Sequence, residues 1–133
     1  MTEDFKTHLE HINFKKYLKN LENKIGQKTV IFYGSGSFFK YIKDNFDLSN
    51  FNVIGISDMK FSDEDEGKEC LGYKIIPKDK IVEYNPDFVL IGTIKYTGIL
   101  ENFVVNVFNN TKIKVYPLAR IPLIDLIKEI WKR

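Results

Sequence analysis

Apolar residues Phe5, Leu9, Ile12, Tyr17, Leu18 and Leu21 return at short, helix-like intervals, with Lys, Glu and His between them. That period predicts one amphipathic helix over roughly residues 3–24, with Gly26 as its C-terminal cap. The pattern then changes. "KTVIFYG" is an unbroken apolar run of β-branched and aromatic residues, the mark of a strand covered on both faces. After Gly36, residues Phe38, Tyr41, Ile42 and Phe46 are spaced for one face of a helix, with Ser37 placed as its N-cap. "FNVIGIS" is a second buried strand, followed at once by Asp58 and a charged loop, "KFSDEDEGKEC". "GYKII" reads as a short third strand, and Pro77 opens a helix that runs to Tyr84. "DFVLIGT" is a fourth strand, residues 97–109 a helix, and "KIKVYPL" a fifth strand. The end, "IPLIDLIKEIWKR", reads as a C-terminal helix.

Alternating, mostly apolar strands and helices require a parallel sheet covered on both faces. Right-handed crossovers then give an α/β, doubly wound parallel sheet of about five strands in the order 3-2-1-4-5, a Rossmann-like fold with helices at either end. The 133 residues suit a single domain: an N-terminal helix (1–26), a core (27–118) and a C-terminal helix (119–133).

Composition narrows the function classes. With 20 basic and 18 acidic residues the net charge is +2, so no nucleic acid is expected as a partner. The single cysteine, Cys70, cannot form an intrachain disulfide, and with only His8 and His11 beside it no metal site is expected. The acidic loop lacks the closing carboxylate of a calcium-binding hand, because Lys74 stands at that position. The opening "MTEDFKTHLE" lacks the basic start and apolar run of a signal peptide, and no stretch approaches the ~20 apolar residues of a membrane span. A cytoplasmic protein is the expectation.

Three segments meet where such a sheet places its ligand, at the C-terminal ends of the strands. The first is Gly34-Ser35-Gly36-Ser37: glycines for a tight turn and close phosphate approach, serine hydroxyls as donors, and a helix N-terminus behind them. Asp58 is the second, 22 residues beyond Gly36, where a carboxylate can accept ribose hydroxyls. The third is Gly92-Thr93 with Tyr96. Where the G-x-G-x-x-G pattern has its third glycine this chain has Phe39, a ring expected to push the helix outward or to turn with Phe38 and narrow the groove.

The run "KTVIFYGSGS", "FNVIGISD", "LGYKII" and "PDFVLIGT" resembles the small Rossmann domain of bacterial polysaccharide-biosynthesis proteins, found in nucleotide-sugar dehydratases and ketoreductase-like proteins. The resemblance covers about residues 28–100. It implies binding of NAD(P) or a nucleotide-sugar, with Gly34, Gly36 and Asp58 in the matching places. The Tyr-x-x-x-Lys of short-chain dehydrogenases is absent, so the catalytic residues are unassigned. The expected function is thus a nucleotide-binding module of surface-sugar metabolism. The alternatives are an NAD(P)-dependent ketoreductase or dehydrogenase with Tyr96, or a residue from a partner subunit, as proton donor, and a non-binding scaffold for dimerisation through its terminal helices or for partner interaction.

Overall fold

The N-terminal amphipathic stretch folds as two helices rather than one, α1 (Thr2–His11) and α2 (Phe14–Ile25). The computed structural model describes residues 2–120, and the predicted C-terminal helix lies outside them from residue 121 onward. Asn13 breaks the helix with left-handed backbone angles (φ 50°, ψ 61°), which asparagine tolerates better than most residues. The bend lets Ile12 and Phe14, on either side of it, both be buried. Gly26 ends α2 as predicted, at φ 61° and with its N–H on the Glu22 carbonyl.

β1 (Thr29–Tyr33), β2 (Asn52–Ser57), β5 (Phe88–Ile91) and β6 (Lys114–Pro117) form one parallel sheet in the order β2-β1-β5-β6. Tyr33 stands opposite Ser57 on one side and Ile91 on the other, so the C-terminal ends of β1, β2 and β5 are level. Side chains alternate between two cores. Val30, Phe32 and Leu90 face α1, α2 and α3 (Ser37–Asn45), where Phe5, Phe14, Leu18, Phe38 and Phe39 pack. Ile31, Tyr33 and Ile91 face the other side with Ile81, Phe103 and Phe108.

The third predicted strand is much reduced. Glu69–Cys70 (β3) and Tyr73–Lys74 (β4) make a two-residue antiparallel hairpin, and only Ile75 reaches the main sheet, through one parallel bridge to Ile56. It does lie beside β2, as the order 3-2-1-4-5 requires. Its shortness follows from the sequence, since Gly72 and Leu71 both adopt positive φ and turn the chain, and Pro77 cannot donate to a ladder. Lys78–Lys80 form a 3-10 turn before the short α4 (Ile81–Tyr84).

The helix expected over 97–109 is α5 (Thr97–Asn102) continued by a π turn, Phe103–Val107. In it the Phe108 N–H reaches the Phe103 carbonyl at 2.7 Å. The wider turn brings two rings five residues apart into one stack, 4.8 Å between centroids and 6° from parallel. Both are buried, so the packing of two phenyl groups outweighs regular helix geometry.

Candidate functional site

β1 and β5 are neighbours whose chains leave in opposite directions, β1 into α3 on one face and β5 into α5 on the other. The crevice of a doubly wound sheet opens at this reversal. Gly34 follows β1 there, at φ 105°, and donates its N–H to the Ser57 carbonyl at 2.8 Å. A Cβ at Gly34 would stand 2.8 Å from the Thr93 methyl, so both its conformation and its neighbour call for glycine. Across the reversal, Gly92 donates its N–H to the Tyr33 carbonyl at 2.7 Å.

Gly36 differs from its partner glycines. Its φ of −81° is open to any residue, and a Cβ there would meet nothing within 4 Å. Neither packing nor backbone conformation demands a glycine. It is also the N-cap of α3, the role predicted for Ser37, which is instead the first helical residue. No side chain caps α3, so the amides of its first turn face the space above Gly36 without a protein acceptor from a capping group.

Ser35 departs from its expected role. Its N–H and its hydroxyl both donate to Asp58 Oδ2, each at 2.8 Å. The predicted phosphate turn and the predicted ribose carboxylate are therefore joined directly, and Ser35 is not available to a phosphate. Asp58 Oδ1 accepts the Lys60 amide at 3.1 Å and keeps one lone pair free of these bonds. Burial pushes the Asp58 carboxyl up, but the hydrogen bonds from Ser35 and Lys60 together hold it below its ordinary value, ionised at neutral pH.

The Phe38-Phe39 pair does not fill the turn. Phe38 packs on Phe5 of α1, 5.2 Å between centroids. Phe39 packs inward on Phe32 at 5.1 Å and against Gly92, where an added Cβ would stand 2.8 Å from its ring. The glycine that the helix lacks at position 39 is thus supplied by the strand at position 92.

Thr93 and Tyr96 follow β5. The Thr93 and Ser57 hydroxyls are buried with no hydrogen-bond partner among the described residues, Ser57 at the end of β2 and Thr93 two residues beyond β5. Ser57 escaped sequence reasoning, although a polar residue closing the apolar run "NVIGI" is a readable sign. Tyr33 escaped too. Burial first, and the Asp58 charge second, push its phenol up to about 12. Tyr96 is buried in the cluster that holds Tyr33 and Phe103.

A family model, C2185-like, N-terminal, matches residues 26–115, from the cap of α2 into β6. The chain belongs to this family. The match starts where α2 ends, so the turn, Asp58 and the whole β5 reversal are C2185-like features, whereas α1 and α2 lie outside it. No curated protein matches the sequence. Solved structures similar to it include three at low identity. RSP in complex with β-NAD+ and operator DNA is 14% identical, with 90% of this chain and 63% of that chain covered at a TM-score of 0.48. UDP-D-quinovosamine 4-dehydrogenase from Vibrio fischeri is 18% identical over 78% of this chain and 86% of that one, TM-score 0.45. RSP in complex with β-NADH is 16% identical over 90% and 66%, TM-score 0.44. The chain spans less than two thirds of the length of either RSP chain.

One expectation is overturned here. Nucleic acid was excluded on net charge, yet a similar chain is crystallised on operator DNA. A charge averaged over one domain does not report what a particular face, or a neighbouring part of a longer chain, can contact. Among the described residues, no helix is long and apolar enough to cross a membrane.

Proposed function

We propose that this C2185-like domain binds a nucleotide, NAD(P) or a nucleotide-sugar, at the β1–β5 reversal. The diphosphate lies over Gly36, on the first-turn amides of α3 and in the field of the helix dipole. A ribose hydroxyl donates to the free lone pair of Asp58 Oδ1, while Ser35 holds the other carboxylate oxygen. Thr93 and Tyr96 flank the far side. The observation that carries this reading is Gly36, a glycine required neither by its φ nor by its neighbours, set where a ligand would need its missing side chain. The resemblance to polysaccharide-biosynthesis domains supports a setting in cytoplasmic sugar-nucleotide metabolism.

For the ketoreductase alternative, Tyr96 is a buried residue of the cluster that also holds Tyr33 and Phe103. Titration calorimetry with pyrophosphate, NAD+ and a UDP-sugar tests the site, alongside Gly36→Asp. Aspartate is a better N-cap than glycine, so this variant should melt at least as high as the parent. Its carboxylate would occupy the phosphate position, and binding should be lost. Equal binding by parent and variant, or no binding of any ligand by the parent, overturns the proposal.

A further inference from the structure

The bend at Asn13 borders a cavity of about 360 Å³, lined by Ile12, Asn13, Lys16, Tyr17, Asn20 and Arg120. Asn13, Lys16, Tyr17 and Asn20 are three and four residues apart, so the first turns of α2 bring them to one helix face. All six residues lie outside 26–115, the span that the family matches. Tyr17 fixes the place of the cavity in the fold, because its hydroxyl donates to the carbonyl of Pro117, the last residue of β6. The sheet is parallel, so the cavity opens at the same edge as the Gly34 turn, with β5 between β1 and β6.

The charge of this lining is one-sided. Lys16 and Arg120 are cations, and neither has an ion-pair partner among the described residues. Among the described residues no carboxylate lines the cavity. Glu10, the acid closest to the bend in sequence, lines a separate cavity with Phe14 and Tyr41. Glu22, the one acid of α2, accepts Asn50 Nδ2 at 2.9 Å. Asn13 is the N-cap of α2, yet its carboxamide makes no capping bond, so it adds a donor beside that of Asn20. Tyr17 is a wall and not a donor, since its hydroxyl hydrogen is committed to Pro117. The Arg120 guanidinium lies 5.8 Å from the Tyr17 ring centre, a contact that steadies it and leaves its N–H groups for another acceptor.

We propose that this cavity is a second anion site, which takes a phosphoryl group carried by a small molecule or a lipid headgroup; the proposal does not rest on the nucleotide reading above. A phosphate monoester carries close to two negative charges at neutral pH, matching the two cations. Its three terminal oxygens can accept from Lys16, Arg120 and a carboxamide together, whereas a carboxylate has one charge and two oxygens in a plane. Ile12 and the Tyr17 ring offer apolar contact to the carbon skeleton that carries the phosphate, and the volume is in the range of small-molecule sites. Asn13, Lys16, Asn20 and Arg120 are exposed, so the bound anion keeps part of its water and binding weakens as salt is added.

Titrating the nitrogen-15-labelled full chain with glycerol 3-phosphate at constant ionic strength, with chloride as the control, tests the site. Saturable shifts should appear at the amides of Asn13, Lys16 and Asn20, and should persist in Gly36→Asp, which removes the nucleotide site. In Lys16→Gln/Arg120→Gln the affinity should fall about tenfold or more, as two charge-assisted contacts are lost. Glutamine keeps the helix propensity of Lys16, so the double variant should melt close to the parent. Sedimentation with phosphatidylcholine vesicles, with and without phosphatidic acid, separates the two sources. Pelleting that needs phosphatidic acid and is lost in the double variant assigns a lipid headgroup; shifts without pelleting assign a soluble phosphate ester. The proposal is overturned by a response that chloride reproduces, by one that Gly36→Asp abolishes, or by one that the double variant leaves unmoved. Absence of both shifts and pelleting overturns it as well, and leaves the Gly36 site standing.

Discussion

Phe39 occupies the space that a side chain at position 92 would need: a Cβ built on Gly92 stands 2.8 Å from Phe39 Cδ1 and 3.2 Å from its Cβ. Helix and strand are fitted to each other by a ring on one and a missing side chain on the other. Gly92→Ala should therefore cost about 1–3 kcal/mol by overpacking. Phe39→Ala should cost about 3–5 kcal/mol through the cavity it leaves. Combined, the two should cost clearly less than their sum, because the alanine at 92 enters the vacated space. Urea denaturation of the three variants measures this; strict additivity would show that the contact does not carry the packing.

Removing the carboxylate that ties the Gly34 turn down leaves the Ser35 donors without their acceptor. Asp58→Ala should lose about 1–3 kcal/mol at pH 7. The pH dependence has a fixed sign. The Asp58 carboxyl lies below its ordinary value of 3.8 in the folded chain, so its contribution is complete above about pH 4. It is lost as pH falls through the lower folded value. The stability gap between parent and variant should accordingly narrow only below about pH 4.

Tyr33 gives the alkaline counterpart. Its phenol is raised from 10.0 to about 12 by burial and by Asp58. The stability this reflects is whole below about pH 10 and disappears as pH rises through about 12. Tyr33→Phe should flatten that alkaline loss, although Tyr17, also raised to about 12, keeps part of it. In Asp58→Asn the Tyr33 phenol should ionise at lower pH, as read by carbon-13 shifts of labelled tyrosine. An unmoved titration would show that the Asp58 charge does not reach the ring.

The break between α1 and α2 depends on one residue. Asn13→Gly should leave stability unchanged or raise it, because glycine takes left-handed angles without penalty. Asn13→Ala should cost about 1 kcal/mol in thermal or urea unfolding. A more stable alanine variant would mean that the two helices have fused.

Much of the architecture was legible because the strands around the reversal, "TVIFY" and "FVLI", are unbroken apolar runs of β-branched, leucine and aromatic residues. Asp58 and the glycine turn could be placed by spacing alone. Their direct bond could not, since whether Asp58 turns toward Ser35 or toward solvent is a matter of side-chain geometry. The helix break at Asn13 was hidden because apolar spacing barely changes across it. The π turn was hidden for a different reason: only the stacking of Phe103 on Phe108 selects it over a regular helix. Phe39 was read as an obstruction because its compensation lies 53 residues away, at Gly92.

The N-terminal pair of helices carries a practical consequence. Family membership stops at residue 26, but Phe5, Leu9, Phe14, Leu18, Leu21 and Ile25 share one buried cluster with β1 and α3. A fragment trimmed to residues 26–115 would expose Phe38 and much of that sheet face to water, and would also lack the buried Leu118 and Ala119. The span matched by the family is thus shorter than the core the described residues build, and a fragment cut to it should melt well below the full chain.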